Sequence, residues 1–168
     1  MDSNKTLVMV IVGLIIAVVA GAGAYFIFFT MPPKTDKPTV VVVDKLPDDI
    51  RAHIASKSNL ISLASPAPLA EISSPVHISG EARGPWYFEA SFPVFLADWD
   101  GKIIAQGVAT AEGNWMTTEF VPFTATLTYN SADISGQYSN KGTLILKKDN
   151  PSGLPEHDDA LEVPVVLK

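Results

Sequence analysis

The sequence predicts an all-β sandwich carried behind one N-terminal transmembrane helix and a Pro-rich linker. Three observations support this. Residues 7–29 read LVMVIVGLIIAVVAGAGAYFIFF, 23 consecutive positions without a charge. Residues 30–47 hold four prolines, at 32, 33, 38 and 47. From Ile72 onward, short runs of alternating apolar and polar residues are broken by Gly, Pro and Asn/Asp pairs, the texture of an antiparallel sandwich.

Composition limits the chemistry. The chain has 168 residues, 47% hydrophobic and 18% charged, with net charge −6 and no cysteine. Without cysteine there is no disulfide scaffold, thiolate zinc site, thiol nucleophile or lipid-modified cysteine anchor. Residues 1–71 carry six basic and six acidic side chains, whereas 72–168 carry six basic and twelve acidic, so the whole excess of negative charge belongs to the β region. Nucleic acid is therefore excluded as a partner, since phosphate binding needs clustered Lys and Arg. Anionic headgroups would also repel this region, which suits a module held off the membrane.

Residues 1–6 form a short tail before the apolar stretch. As a helix, residues 7–29 would rise about 35 Å at ~1.5 Å per residue, enough to span a bilayer. Ala20-Gly21-Ala22 has the small-x-small form of a signal-peptidase site. Cleavage there would leave Gly23-Ala24-Tyr25-Phe26-Ile27-Phe28-Phe29 as an exposed apolar terminus, so an uncleaved signal anchor is the better reading. A short tail ahead of an export-competent segment places residues 30–168 outside the cytoplasm, with the lipid bilayer as the helix's partner.

Residues 30–71 read as a stalk, because proline-rich spacers are stiff and extended. Within it Val40–Val43 is a possible short strand, and Pro47-Asp48-Asp49 opens a helix expected to run to about Ser58, with acidic residues in its first turn. Ser65-Pro66-Ala67-Pro68 closes the segment.

The β domain is then expected over residues 72–168. Val76, Ile78, Gly80 and Ala82 alternate with polar neighbours, and Phe88, Ala90, Phe92, Val94 and Leu96 form the longest period-two series. Asp98-Trp99-Asp100-Gly101 supplies the Asp-Gly pair of a tight hairpin, with Lys102–Ala111 as the returning strand. Phe123, Ala125, Leu127 and Tyr129 mark another half-buried strand, followed by a polar turn region at 130–140. Leu144 with Leu146, and Leu161 with Val163, Val165 and Leu167, complete about six or seven strands.

No catalytic constellation emerges. His53, His77 and His157 lie in three separate segments, with neither a Gly-x-Ser-x-Gly elbow nor metal-ligand spacing. His77 reads as an outward strand position. Asp98-Trp99-Asp100-Gly101 begins like a calcium loop, but an EF-hand requires a Glu six residues past the glycine, where Gly107 stands. Glu156, Asp158, Asp159 and Glu162 concentrate carboxylates in one expected loop, which leaves a calcium-dependent carbohydrate binder or small hydrolase as the alternative reading. Nothing marks Glu89, Asp98 or Glu119 as buried, as paired glycosidase carboxylates would need to be. Trp86, Tyr87, Trp99 and Trp115 are candidates for a sugar- or peptide-stacking surface, with Trp115 the expected core plug.

One resemblance rests on the order of short motifs: Ser74-Pro75, Ser79-Gly80-Glu81-Ala82-Arg83-Gly84, Phe88-Glu89-Ala90-Ser91-Phe92, Asp98-Trp99-Asp100-Gly101-Lys102, Ile104-Ala105-Gln106-Gly107, Trp115, Pro122-Phe123-Thr124-Ala125 and the closing Val163-Pro164-Val165-Val166. Residues 72–168 resemble the bacterial immunoglobulin-like domain associated with spore-germination proteins. The resemblance implies an immunoglobulin-like β-sandwich in an envelope protein and brings no catalytic residue. The function expected is therefore a non-enzymatic, membrane-anchored module that meets an envelope protein or wall glycan. It needs no cofactor or metal, and the resemblance implies a link to germination or sporulation.

Overall fold

The computed structural model describes residues 46–168. The expected anchor at 7–29, the stalk as far as residue 45 and the Val40–Val43 strand lie outside the described residues. Among the described residues no helix is long and apolar enough to cross a membrane.

Pro47 caps helix α1 (Asp48–Lys57), and its carbonyl accepts from the Arg51 amide at 3.0 Å. Asp48 and Asp49 stand in the first turn and Lys57 in the last, the arrangement that the helix dipole favours. No residue of α1 is fully buried, and the helix packs against the last strand of the chain.

The strands are β1 (Ile61–Ser65), β2 (Glu71–Ile72), β3 (Val76–Arg83), β4 (Ser91–Asp98), β5 (Ile103–Ala111), β6 (Phe120–Leu127), β7 (Lys141–Lys147) and β8 (Ala160–Leu167). All eight join in one curled sheet, ordered β1-β3-β6-β5-β4-β7-β8-β2. Every pairing is antiparallel except β2 with β8. The curl occurs where β5 meets β6, a ladder of Thr110↔Thr124 and Ala111↔Phe123 alone. It brings β1-β3-β6 to face the remaining strands across one core.

That core is built by period-two alternation. Phe123, Ala125 and Leu127 on β6, Phe92, Val94 and Leu96 on β4, Leu144 and Leu146 on β7, and Leu161, Val163, Val165 and Leu167 on β8 are all buried, as the sequence predicts, and Val121 extends the β6 series. Phe92 joins the layers, its ring centroid 5.0 Å from Phe123 and 5.3 Å from Tyr87. Tyr129 fastens the far end, its hydroxyl lying 3.0 Å from the carbonyls of both Ile72 and Lys168.

Three expectations need correction. Residues 61–71, assigned to the stalk, supply β1 and the first residue of β2 to the sheet. Ile61 is 1% exposed and fixes β1, but a five-residue edge strand with one fully buried side chain leaves almost no periodic signal. β1 crosses so close to β3 that a Cβ on Gly80 would stand 2.2 Å from the Ser62 carbonyl oxygen. Next, the core tryptophan is Trp86, 2% exposed, while Trp115 is only partly buried. A Cβ on Gly84 would meet the carbonyl oxygens of Thr117 at 1.7 Å and Trp115 at 2.5 Å, so the 115–117 segment approaches through its backbone. The 3-10 turn Gly84–Trp86 carries the Trp86 ring inward instead. Finally, the chain reverses at Phe88–Ser91, so β4 begins at Ser91 and Phe88 lies outside it, 42% exposed.

Candidate functional site

Loops at the two ends of β4 carry the exposed features. At its C-terminal end, Asp98 closes the strand and is the one buried charged side chain among the described residues. Its Oδ1 accepts from the backbone N–H groups of Asp100 and Lys102, both at 3.0 Å, as an Asx turn does. Gly101 at φ 82° completes the hairpin, with its N–H 3.1 Å from the Asp98 carbonyl. The other carboxylate oxygen accepts from Gln137 Nε2 at 2.9 Å, and the same amide reaches the Asp133 carbonyl. One buried carboxylate thus ties the β4–β5 hairpin to the 131–140 segment.

Outside this tie, Trp99 and Tyr138 pair with ring centroids 5.6 Å apart and planes tilted by 53°. Trp99 is 45% exposed and Tyr138 91%. Large rings held open to solvent on an ordered base offer contact area at low ordering entropy, the usual composition of a recognition hot spot. Of the four aromatics considered for a stacking surface, Trp99 alone is largely open to solvent. Trp86 and Tyr87 are core residues, and Trp115 is half-buried. Tyr138 was not identifiable from sequence, because a lone tyrosine in a polar turn has no periodicity and its partner ring is distant along the chain.

At the opposite end of β4 lies the acidic loop. Two of its carboxylates, those of Asp158 and Asp159, engage different partners. Asp159 pairs with Lys57 of α1 and accepts from the Ala160 amide. Asp158 accepts from Asn150 Nδ2 at 2.9 Å and lies 3.6 Å from Lys147 Nζ. The Asn150 hydrogen bond, followed by the Lys147 charge, holds its carboxyl below the ordinary range. The Glu162 amide donates to His53 Nε2 at 3.1 Å. Among the described residues no three His, Asp or Glu side chains converge as a metal site would require. The three histidines stay apart: His53 on α1, His77 facing outward beside Thr126 Oγ1 at 3.2 Å, and His157 in an exposed turn. Of Glu89, Asp98 and Glu119, only Asp98 is buried, and its oxygens hold turn amides.

No curated protein matches this chain. Residues 60–150 match a family described as the immunoglobulin-like domain of bacterial spore germination, more than half of the sequence. The match starts one residue before β1 and so includes the strand that the sequence boundary at 72 omits. With an eight-stranded curled sheet, an alternating core and this match, the chain belongs to the family of immunoglobulin-like domains of bacterial spore germination.

Proposed function

We propose that this protein is a membrane-anchored envelope protein that presents its immunoglobulin-like domain outside the cytoplasm as a binding module for an envelope protein or wall glycan, in the service of germination or sporulation. The observation behind the binding role is the Trp99–Tyr138 pair, exposed on a base that Asp98 orders. A binding role rather than a catalytic one also fits the polar groups of both loop ends, which are engaged in structural hydrogen bonds and ion pairs. Anchoring and orientation rest on the uncharged stretch at residues 7–29 and the proline-rich stalk.

The test is retention of the chain on isolated cell envelopes, compared between the wild type and the Trp99→Ala/Tyr138→Ala variant. Retention should fall at least about tenfold, corresponding to ~1.4 kcal/mol, with thermal unfolding unchanged. Equal retention would remove the aromatic pair from the reading. Protease added to intact cells should digest the β domain, and complete protection would reverse the orientation.

A further inference from the structure

We infer that the Trp99–Tyr138 pair is a sugar-stacking platform, and that it takes a linear chain of neutral pyranose residues by two consecutive rings. The pair's proposed binding role, on which this rests, thereby acquires a ligand class: glycan and not protein.

Exposure decides between the two. A protein anchor gains its energy in a walled, fully desolvated pocket. Tyr138 is 91% exposed, so its ring stands clear of the surface and cannot wall in a partner's side chain. What the pair offers is two open aromatic faces. A pyranose needs no pocket on such a face, because the C–H groups on one side of the sugar pack against the electron-rich ring while its hydroxyls stay at the rim. The centroids of Trp99 and Tyr138 lie 5.6 Å apart, close to the advance of one residue along a 1,4-linked chain. Their planes differ by 53°, and consecutive sugars of such a chain likewise turn about the linkage. Trp99 therefore meets one sugar and Tyr138 the next.

The surroundings suit a neutral polyhydroxyl ligand. Among the described residues Asp100 and Asn140 use only backbone groups in hydrogen bonds, the Asp100 N–H on Asp98 Oδ1 and the Asn140 carbonyl beneath the Leu167 N–H. Both residues are exposed, which leaves a carboxylate beside Trp99 and an amide near Tyr138 for sugar hydroxyls. Along the two loops Asp100 and Asp133 stand against Lys102 and Lys141, a balance that favours neither a polyanion nor a polycation. The base is fixed before a ligand arrives, since the Asp98 carboxylate holds the amides of Asp100 and Lys102 and the side chain of Gln137. Such preorganisation lowers the ordering cost of a shallow site.

The test titrates the full chain, held in polyoxyethylene detergent micelles that carry no sugar, with N-acetylglucosamine and with its β-1,4-linked tetramer. Nuclear magnetic resonance follows the Trp99 indole signal, assigned among the three tryptophans by its loss in Trp99→Phe. The tetramer should move this signal saturably and bind at least about tenfold more tightly than the monomer, because its second ring docks within the same complex. Tyr138→Ala should remove that advantage with thermal unfolding unchanged, and Tyr138→Phe, which keeps the ring, should retain it. An unmoved Trp99 signal at millimolar tetramer, equal affinity for monomer and tetramer, or wild-type affinity in Tyr138→Ala would overturn the platform. Envelope retention separates failure of the glycan from failure of the binding role. Retention that needs the pair should survive protease treatment of the envelopes and disappear when their glycan is digested. Loss to protease instead would assign the pair to a protein and overturn the glycan, and retention that does not need the pair would remove the binding role as well.

Discussion

Asp98 shows how much of the exposed surface depends on one buried atom group. Its carboxylate accepts from two backbone amides and from Gln137, so Asp98→Ala leaves three donors without their partner. Stability should fall by about 2 kcal/mol in denaturant titration, and the Trp99–Tyr138 contact should loosen with it. The sequence showed the Asp-Gly hairpin but not this role, because Gln137 reaches Asp98 only through the folded 131–140 segment. Tyr87 carries a second test at this scale. Burial, assisted by the nearby Glu81 charge, pushes its phenol from 10.0 up to about 12. The folded state favours the neutral phenol, so its contribution is complete below pH 10.0 and is lost as pH rises to about 12. Between those values wild-type stability should decline more steeply than that of Tyr87→Phe, as followed by unfolding at fixed pH steps. Parallel declines would contradict the assignment.

Single elements divide by whether their signal is local. The long strands were legible because alternation over eight residues, as in β6, forces one face inward. β1 was missed because only Ile61 is fully buried, and Trp86 takes the place of Trp115 as core tryptophan through a turn whose geometry depends on the distant 115–117 backbone. The reversal before β4 was hidden for a different reason. Its central residues, Glu89 and Ala90, sit at φ 50° and 62° between the paired Phe88 and Ser91, a two-residue type I′ geometry that normally selects Asn-Gly. Replacing Glu89-Ala90 by Asn-Gly should therefore stabilise the domain by roughly 1 kcal/mol, read as a rise in denaturation midpoint. A fall would show that the native pair makes contacts beyond the turn.

Across the whole molecule, α1 and β1 belong with the sheet they flank. Ile61 is a core residue, Ile54 packs against the core, and α1 meets β8 through His53–Glu162 and the residue just before β8 through Lys57–Asp159. A fragment starting at residue 46 should thus unfold cooperatively, whereas one starting at 72, the boundary read from sequence, should lose several kcal/mol or fail to fold, because it opens the Ile61 site and the β3 edge. Circular dichroism melts of the two fragments check this. The recognition surface was half legible: Trp99 stands out in the sequence beside its hairpin, while Tyr138 joins it only through the tertiary tie at Asp98. The central claim is that this aromatic pair meets an envelope partner. Its most direct measurement replaces Tyr138 in living cells with a photoreactive phenylalanine analogue, alongside the same replacement at exposed Glu119. Irradiation should yield a discrete adduct, to a protein or to wall glycan, at position 138 and not at 119. Identical or absent adducts at both positions would contradict it.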